Sequence, residues 1–282
     1  METIFIALTN MSGIACASDR DHTIYQLSKK LPLALAVSPS SPIPWDSIIE
    51  QYKLSGGPEE KEEFSDYASH FLTFLSTIPV DRSWQFKSRH DLNIIFMGYG
   101  KEDLFPCVYN VILKINPDTN SLEEDFVEYT IISHNQIATI NMLGDIEEVY
   151  SILFGATTLS KELAYLTLCK KLETYRERLI EKFNDTEYAD YVKNKLTGFD
   201  IEEAAGIKLN SASDNILDKL YSGLDTFSIE DLVTASETLV NAEVRLKHLL
   251  FKDKEFPHLT KEIAVVTRIE GVTWLKHSLF AL

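Results

Sequence analysis

The first third of the chain alternates between apolar and polar residues in the way that is typical of β-strands. Residues 3–8 and 13–17 predict one pair of strands, and residues 22–27 and 31–37 predict a second pair. The segment 38–44 contains several prolines, which lack a backbone donor and cannot continue a ladder of strand pairs. We therefore expect a loop between these strands and the next elements.

Two helices are predicted after this loop. Apolar residues recur at every third or fourth position from Trp45 to Tyr52, and again from Phe64 to Leu75. The second helix is expected to end before Pro79, because the residue that precedes a proline disfavours helical backbone angles.

The pattern then returns to strands and afterwards to helices. Residues 92–99 form a nearly continuous apolar run, which is typical of a strand that is covered on both faces, and residues 107–115 and 125–133 are expected to lie beside it. From about Asp145 the spacing is helical for roughly a hundred residues. Residues 228–231 have capping-box spacing before one long helix, and the chain closes in a predicted β-hairpin.

The order of these elements predicts the fold class. Strands, two helices, strands, more helices and a final hairpin are typical of an α+β protein in which two antiparallel sheets stack with helices outside them. We therefore expect a four-layer αββα sandwich with extra helices in the C-terminal half.

Composition and charge narrow the range of partners. The 282 residues carry a formal net charge of −16, which argues against nucleic-acid binding because phosphate contacts need clustered Lys and Arg. The sequence has no basic amphipathic segment of the kind that binds membranes. It also has no apolar run as long as the roughly 18 residues that a membrane-spanning helix needs. Glu2 stands where a signal peptide carries positive charge, so a cytoplasmic protein is expected.

The residue types that carry cofactor or acid–base chemistry give few signals. The three cysteines are widely spaced and predict free buried thiols, and no metal-ligand spacing is present, so neither a metal nor another cofactor is expected. None of the histidines forms a recognisable catalytic triad with a serine or cysteine in the sequence. The Gly98-Tyr99-Gly100 string after a strand is a weak phosphate-binding signal.

Four short pieces of the chain, in this order, carry a family resemblance: residues 3–20 (TIFIALTNMSGIACASDR), HTIYQL followed by LALAVS, IIFMGY, and EIAVVTRIEGV. They are similar to segments of N-terminal-nucleophile (Ntn) hydrolases, specifically proteasome β subunits and HslV-type peptidases. The resemblance implies the same αββα fold in a single domain over residues 1–282. Residues 188–223 have no counterpart and are expected to be a helical elaboration within it. Because members of this family build rings, the resemblance also implies a homo-oligomer, for which a ring is one form.

The resemblance places the family's functional positions on four residues. Thr3 falls on the nucleophile, whose own amine acts as the general base, and Asp19 falls on the supporting carboxylate. Thr23 stands where the family has a lysine, and Val37 stands where it has the glycine whose N–H stabilises the oxyanion. Thr3 also needs an exposed amine, and Met1 and Glu2 block it. The catalytic set is therefore expected to be incomplete.

Three hypotheses for function follow. The first is a catalytically degenerate proteasome-β/HslV-like protein, a pseudoenzyme that works as a self-assembling or partner-binding subunit, whose acidic surface favours a basic or mixed-charge protein partner. The second is a Thr-dependent amidohydrolase or peptidase that uses Thr3 after removal of Met1 and Glu2. The third is an unrelated α+β binding protein.

Overall fold

The computed structural model describes residues 4–28, 30–38, 41–55, 63–81, 84, 86, 92–133, 136–144, 169–170, 173–174, 176–182, 184, 189–197, 219–251 and 259–276. The described strands are β1 (Ile4–Asn10), β2 (Gly13–Ser18), β3 (Ile24–Gln26), β4 (Leu33–Val37), β5 (Asn93–Gly98), β6 (Cys107–Asn116), β7 (Ser121–Ile131), β8 (Ala138–Gly144), β9 (Glu262–Thr267) and β10 (Gly271–Lys276). The helices whose bounds are given are α1 (Trp45–Leu54), α2 (Phe64–Leu75), α3 (Ala189–Thr197) and α4 (Ile229–Phe251), and residues 176–182 and 219–225 are helical as well.

The strands form two five-stranded sheets. The first sheet has the order β10-β9-β2-β1-β8, and the second has the order β3-β4-β5-β6-β7. Every registered pair of neighbouring strands is antiparallel. The α+β class with two antiparallel sheets, as predicted from the sequence, is therefore what the structure has.

The two sheets share one apolar core. Every residue of β1, β2 and β4 is buried, as expected for strands that are covered on both faces. Phe5 and Cys16 of the first sheet belong to the same cluster of buried side chains as Ala36, Ile95 and Met97 of the second. The inward-facing residues of the two sheets therefore pack against each other.

A second core lies on the other face of the second sheet. Alternate residues of β4, including Leu33 and Leu35, join a buried cluster with Trp45 and Tyr52 of α1 and Phe71 of α2. The Tyr52 and Phe71 rings meet edge to face with centroids 4.8 Å apart, a favoured aromatic geometry. The apolar stripes that predicted α1 and α2 are thus the faces that these helices bury.

Helix α4 packs on the first sheet, where it contacts β1, β2 and β9. Its first turn is held by the predicted capping box: the Asp231 N–H donates to Ser228 Oγ at 3.2 Å, and the Ser228 N–H donates to Asp231 Oδ2 at 3.1 Å. The Asn10 side-chain amide at the end of β1 donates to the carbonyl oxygens of Leu224 and Phe227, just before the helix. These bonds fix where α4 begins over the sheet.

One strand was not predicted from the sequence. β8 pairs with β1 along the outer side of the first sheet, with Leu8 opposite Ile140 and Asn10 opposite Ala138. The long helical stretch predicted from about Asp145 lies partly outside the described residues, and both α3 and most of α4 fall within it.

The chain divides into two compact units, residues 1–149 with 221–282 and residues 150–220. The first unit contains both sheets with α1, α2 and α4, and the second contains α3. The single domain over 1–282, with an elaboration at 188–223, stays a prediction.

Candidate functional site

The predicted nucleophile, Thr3, lies outside the described residues, but the chain next to it is well defined. The Ile4 N–H donates to Asp19 Oδ1 at 2.7 Å, and the Asp19 N–H donates to the Ile4 carbonyl oxygen at 3.2 Å. Asp19 is buried. Its carboxylate therefore joins the start of β1 to the end of β2, one residue along the chain from Thr3. A catalytic role for Thr3 and Asp19 stays a prediction.

Thr23 is fully buried, and its hydroxyl is bonded to neutral groups. Its hydroxyl accepts a hydrogen bond from Ser18 Oγ at 3.1 Å and lies 3.4 Å from the Arg20 carbonyl oxygen, to which it donates. A lysine does approach this region: the Lys261 N–H donates to the Ser18 carbonyl oxygen at 2.8 Å, while its ammonium pairs with Asp21 at 3.4 Å. The position that the resemblance gives to a lysine thus holds an uncharged hydroxyl.

Val37 is buried at the end of β4, and its backbone N–H already donates a hydrogen bond within the fold. The Val37 N–H donates to the Thr23 carbonyl oxygen at 3.0 Å, and the next amide, on Ser38, donates to the Asn93 carbonyl oxygen at 3.1 Å. An oxyanion site needs amides that point at the reacting oxygen and have no other acceptor. In this conformation both amides of the turn are paired within the fold.

Glu262 organises the backbone beside Thr23. It is fully buried at the start of β9. Its Oε1 accepts the His22 N–H at 2.9 Å, and its Oε2 accepts the N–H groups of Thr23 and Ile24 at 3.1 Å. Hydrogen bonds to a carboxylate are stronger than neutral ones, so this side chain fixes the path of residues 22–24.

A cavity of about 530 Å³ lies beside this segment. Residues around β3 contribute His22 and Tyr25 to its wall. Helix α1 contributes Asp46 and Glu50, which are one turn apart on the same helix face, and β10 contributes Trp274. Lys53 and Gln26 complete its polar lining. The cavity combines two aromatic side chains with two carboxylates.

Asp46 is the centre of a hydrogen-bonded group in this cavity. His22 Nδ1 lies 2.9 Å from Asp46 Oδ1, and since a carboxylate only accepts, that nitrogen donates. The Tyr25 hydroxyl lies 2.9 Å from the same Oδ1 and 2.8 Å from the His22 carbonyl oxygen, so its single hydrogen is shared between them. Both bonds end on Oδ1, and Oδ2 accepts none from the described residues. The Asp46 side chain is 61% exposed.

The environment keeps Tyr25 neutral. Burial raises the pKa of the Tyr25 phenol most, and the Asp46 charge, its hydrogen bond and the more distant Glu262 raise it further. The phenol therefore stays a donor to Asp46 at physiological pH. His22 has a backbone φ of 60°, in the left-handed region that non-glycine residues rarely adopt.

A second surface feature lies on β7, the last strand of the second sheet. Three apolar residues on one face of this strand are exposed, Val127 by 36%, Tyr129 by 45% and Ile131 by 49%. We call these three residues the β7 stripe. Phe126, on the opposite face, is 54% exposed. Beyond the Pro79–Ser121 bridge at its start, no other described strand pairs with the outer edge of β7.

The sequence did not predict Glu262 or the cavity. One signal for Glu262 was present, because a charged residue heads the apolar run EIAVV and a buried strand rarely starts with an uncompensated carboxylate. The cavity had no such signal. His22 and Asp46 are 24 residues apart, and Trp274 comes from the last described strand.

Two further observations concern ions and membranes. Among the described residues, no group of three or more His, Cys, Asp and Glu side chains could hold a metal ion. No helix in the same part of the chain is long and apolar enough to cross a membrane.

Comparisons with known proteins assign no family. No family model matches the chain, and no curated protein matches it. Among solved structures, it is similar to the selenomethionine-labelled Anbu (Gly-1) mutant from Hyphomicrobium sp. strain MC1, with 13% identity over 80% of this chain and 100% of that one, and a TM-score of 0.34. These values are too low to establish a common fold. The identification of the chain as an Ntn hydrolase of the proteasome-β/HslV type is therefore corrected: the four short matching pieces do not define its family.

Proposed function

We propose that this protein is a non-catalytic binding protein that works by docking a protein partner or further copies of itself. The observation that carries the proposal is the β7 stripe, at an edge of the second sheet with which no described strand pairs beyond the Pro79–Ser121 bridge. We also infer a cytoplasmic location, in keeping with three cysteines that are all free thiols, since disulfides are rare in reducing compartments.

The absence of activity is supported by how the polar groups near Asp19 are used. Thr23 offers a buried hydroxyl and no positive charge, and the Val37 amide is bonded to Thr23. A hydroxyl nucleophile needs a neighbouring base or positive charge to become reactive near neutral pH. The described residues around Asp19 supply hydrogen bonds that hold strands together.

The edge of β7 has the properties of a strand-docking site. An edge strand presents unpaired N–H and C=O groups, and an extended segment can add to it as a further strand. Natural proteins usually protect such edges with charges or covering loops, and exposed apolar residues there mark interaction surfaces. β7 is 11 residues long, which is enough to pair with a full partner strand.

The charges on β7 favour a particular partner. The strand carries Glu123, Glu124, Asp125 and Glu128 beside the exposed apolar residues, and only Lys114 on β6 pairs with any of them by a described ion pair. A second copy of β7 would bring carboxylates opposite carboxylates, and like charges across strands destabilise pairing. A basic or mixed-charge segment that alternates with apolar residues fits better, so we favour a protein partner over self-association.

The proposal can be tested with model strands. A peptide of alternating Lys and Val should bind and shift the amide resonances of β7, whereas one of alternating Glu and Val should not. Tyr129→Ser should weaken binding about tenfold, because it removes the central contact of the β7 stripe. Ile269→Ser, a matched loss of an exposed apolar residue in the β9–β10 turn, should leave binding unchanged.

Sedimentation of the wild-type protein completes this test. An oligomer that Tyr129→Ser dissociates would identify the partner as a second copy. A monomer at every concentration, together with no binding of either peptide, would contradict the proposal.

A hydrolase that uses Thr3 is the second candidate, favoured by one observation. The buried Asp19 carboxylate is bonded to the residue directly after Thr3, which is where a supporting carboxylate is needed. N-terminal sequencing and intact mass would separate the candidates. A chain that begins at Met1 cannot use the Thr3 amine. A chain that begins at Thr3 and hydrolyses an amide reporter, with loss of turnover in Thr3→Ala, would establish the hydrolase.

We also infer that the first unit is a four-layer αββα sandwich. Its support is that α1 and α2 share a core with one face of the second sheet, that the other face shares a core with the first sheet, and that α4 contacts the first sheet.

A further inference from the structure

We propose that the cavity beside β3 binds an organic cation, an alkylammonium or guanidinium group, between the Asp46 and Glu50 carboxylates and the aromatic side chains of Tyr25 and Trp274. This inference does not depend on the β7 docking site, since it rests on a different surface of the molecule.

The shape of the site fits a small group. The cavity measures about 530 Å³, which is within the range of ligand pockets in proteins. Its walls come from β3, α1 and β10, so regular elements and not a single loop position its side chains.

The electrostatics select a positive ligand. Asp46 and Glu50 are one helical turn apart and both face the cavity, while Lys53 is the only Lys or Arg among the described residues of its lining. Oδ2 of Asp46 accepts no hydrogen bond from the described residues and the side chain is largely exposed, so this oxygen can accept one from a ligand. A guanidinium or ammonium group donates such bonds and carries the complementary charge.

The aromatic residues add a second preference for cations. A cation over the face of a Trp or Tyr ring is attracted by the negative face of the π-system. Tyr25 stays neutral because burial and Asp46 raise its pKa, so it adds no charge to the site. Trp274 packs against the core between the sheets while it lines the cavity, which holds its ring in place.

The carboxylate is held before any ligand arrives. Asp46 Oδ1 accepts from both His22 Nδ1 and the Tyr25 hydroxyl, which fixes the side-chain rotation and leaves Oδ2 for the ligand. His22 is in turn fixed by the bond from its backbone N–H to the buried Glu262. Such pre-organisation lowers the entropic cost of binding.

The test uses two probes that differ in charge and hardly in shape. N-acetyl-arginine amide and its neutral counterpart N-acetyl-citrulline amide are titrated separately into the full-length protein, with two-dimensional NMR as the readout. We expect the arginine probe to bind in the millimolar range or tighter and to shift resonances of residues 22–26, 46–53 and 274. The citrulline probe should bind at least about tenfold more weakly, because its neutral urea group can donate hydrogen bonds but forms neither an ion pair nor a cation–π contact.

Three variants locate the site. Asp46→Asn and Glu50→Gln should each weaken the arginine probe several-fold, since each removes one carboxylate from the cavity. Glu102→Gln makes the same change of net charge on an exposed loop and should have no effect. Repeating the titration with a peptide that contains one arginine distinguishes a side chain of a protein from a free small cation as the source of the group.

Two kinds of result would overturn the proposed cation site. Equal binding of the arginine and citrulline probes, or shifts that survive both Asp46→Asn and Glu50→Gln, would overturn the proposal. So would the absence of binding by every cationic probe at millimolar concentration in a protein whose NMR spectrum is that of the folded chain.

Discussion

At the scale of single residues, Glu262 holds the backbone of residues 22–24 against the start of β9. Its carboxylate accepts three backbone N–H groups while fully buried. Glu262→Gln replaces one carboxylate oxygen by an NH₂ group, which then faces a backbone N–H instead of accepting from it. We therefore expect the free energy of unfolding to fall by about 2–3 kcal/mol. Urea denaturation measures this change. Glu270→Gln in the exposed β9–β10 turn is the control and should change it by less than about 0.5 kcal/mol.

Cys107 gives stability a dependence on pH. Burial raises the pKa of its thiol most, the hydrogen bond from Tyr129 lowers it and the nearby Asp103 raises it, and together they bring it to about 11 from an ordinary value of 9.0. Between these values the unfolded chain loses the proton and the folded chain keeps it, so stability falls as pH rises from 9 toward 11. Cys107→Ala should make this decline shallower in urea denaturation series. An unchanged slope would contradict the assignment.

At the scale of elements, Gly98 determines how β5 can lie beside β4. It has a φ of 153° and pairs with Leu33, and a Cβ at this position would meet the Pro32 carbonyl oxygen. Gly98→Ala is therefore expected to lower the free energy of unfolding by about 3 kcal/mol or more. The same substitution at Gly223, where a Cβ meets no atom within 4 Å and the backbone is helical, should raise it by up to about 1 kcal/mol. The weak phosphate-binding signal at Gly98 thus has a packing explanation.

The capping box of α4 can be tested in the same way. Ser228→Ala removes the acceptor for the Asp231 N–H and should lower the free energy of unfolding by about 1 kcal/mol. Thr238→Ala, at an exposed position inside the same helix, should be neutral or stabilising by up to about 0.7 kcal/mol because alanine has the higher helix propensity. Thermal or urea unfolding of both variants separates the cap from the helix interior.

At the scale of the whole molecule, the net charge of −16 opposes compaction. The urea midpoint should therefore rise between about 10 mM and about 150 mM NaCl, over which the Debye length falls from about 30 Å to about 8 Å. KCl should give the same rise, because screening depends on ionic strength and not on the identity of the cation. A midpoint that falls with salt would mean that attractive charge pairs outweigh the repulsion.

The elements that could be predicted from the sequence are those in which local pattern and burial agree. Trp45, Ile48, Ile49 and Tyr52 predicted α1 and are the residues that it buries. β8 was missed although residues 139–142 alternate between polar and apolar, and it lies at the edge of the first sheet, where Ile140 and Met142 are only half buried. Its place is decided by pairing with β1, more than a hundred residues earlier in the chain.

The candidate sites were less predictable than the fold. Asp19 was singled out by the family resemblance; in the structure its carboxylate accepts the Ile4 N–H at the start of β1, and its catalytic role stays a prediction. The cavity forms because His22, Asp46 and Trp274 lie close together in the fold. Their spacing in the sequence does not predict this contact. The family resemblance failed for a related reason, since short strand-like pieces recur in many unrelated sheets.

The left-handed backbone of His22 has a consequence for any effort to make this protein more robust. A non-glycine residue at such angles costs about 1–3 kcal/mol, and glycine would adopt them without that cost. His22→Gly is therefore the exchange that selection for heat resistance alone should favour. It would also delete the imidazole that orients Asp46. Stability thus favours glycine at residue 22, whereas ligand binding favours histidine. Variants selected separately for heat resistance and for ligand binding should therefore differ first at this residue.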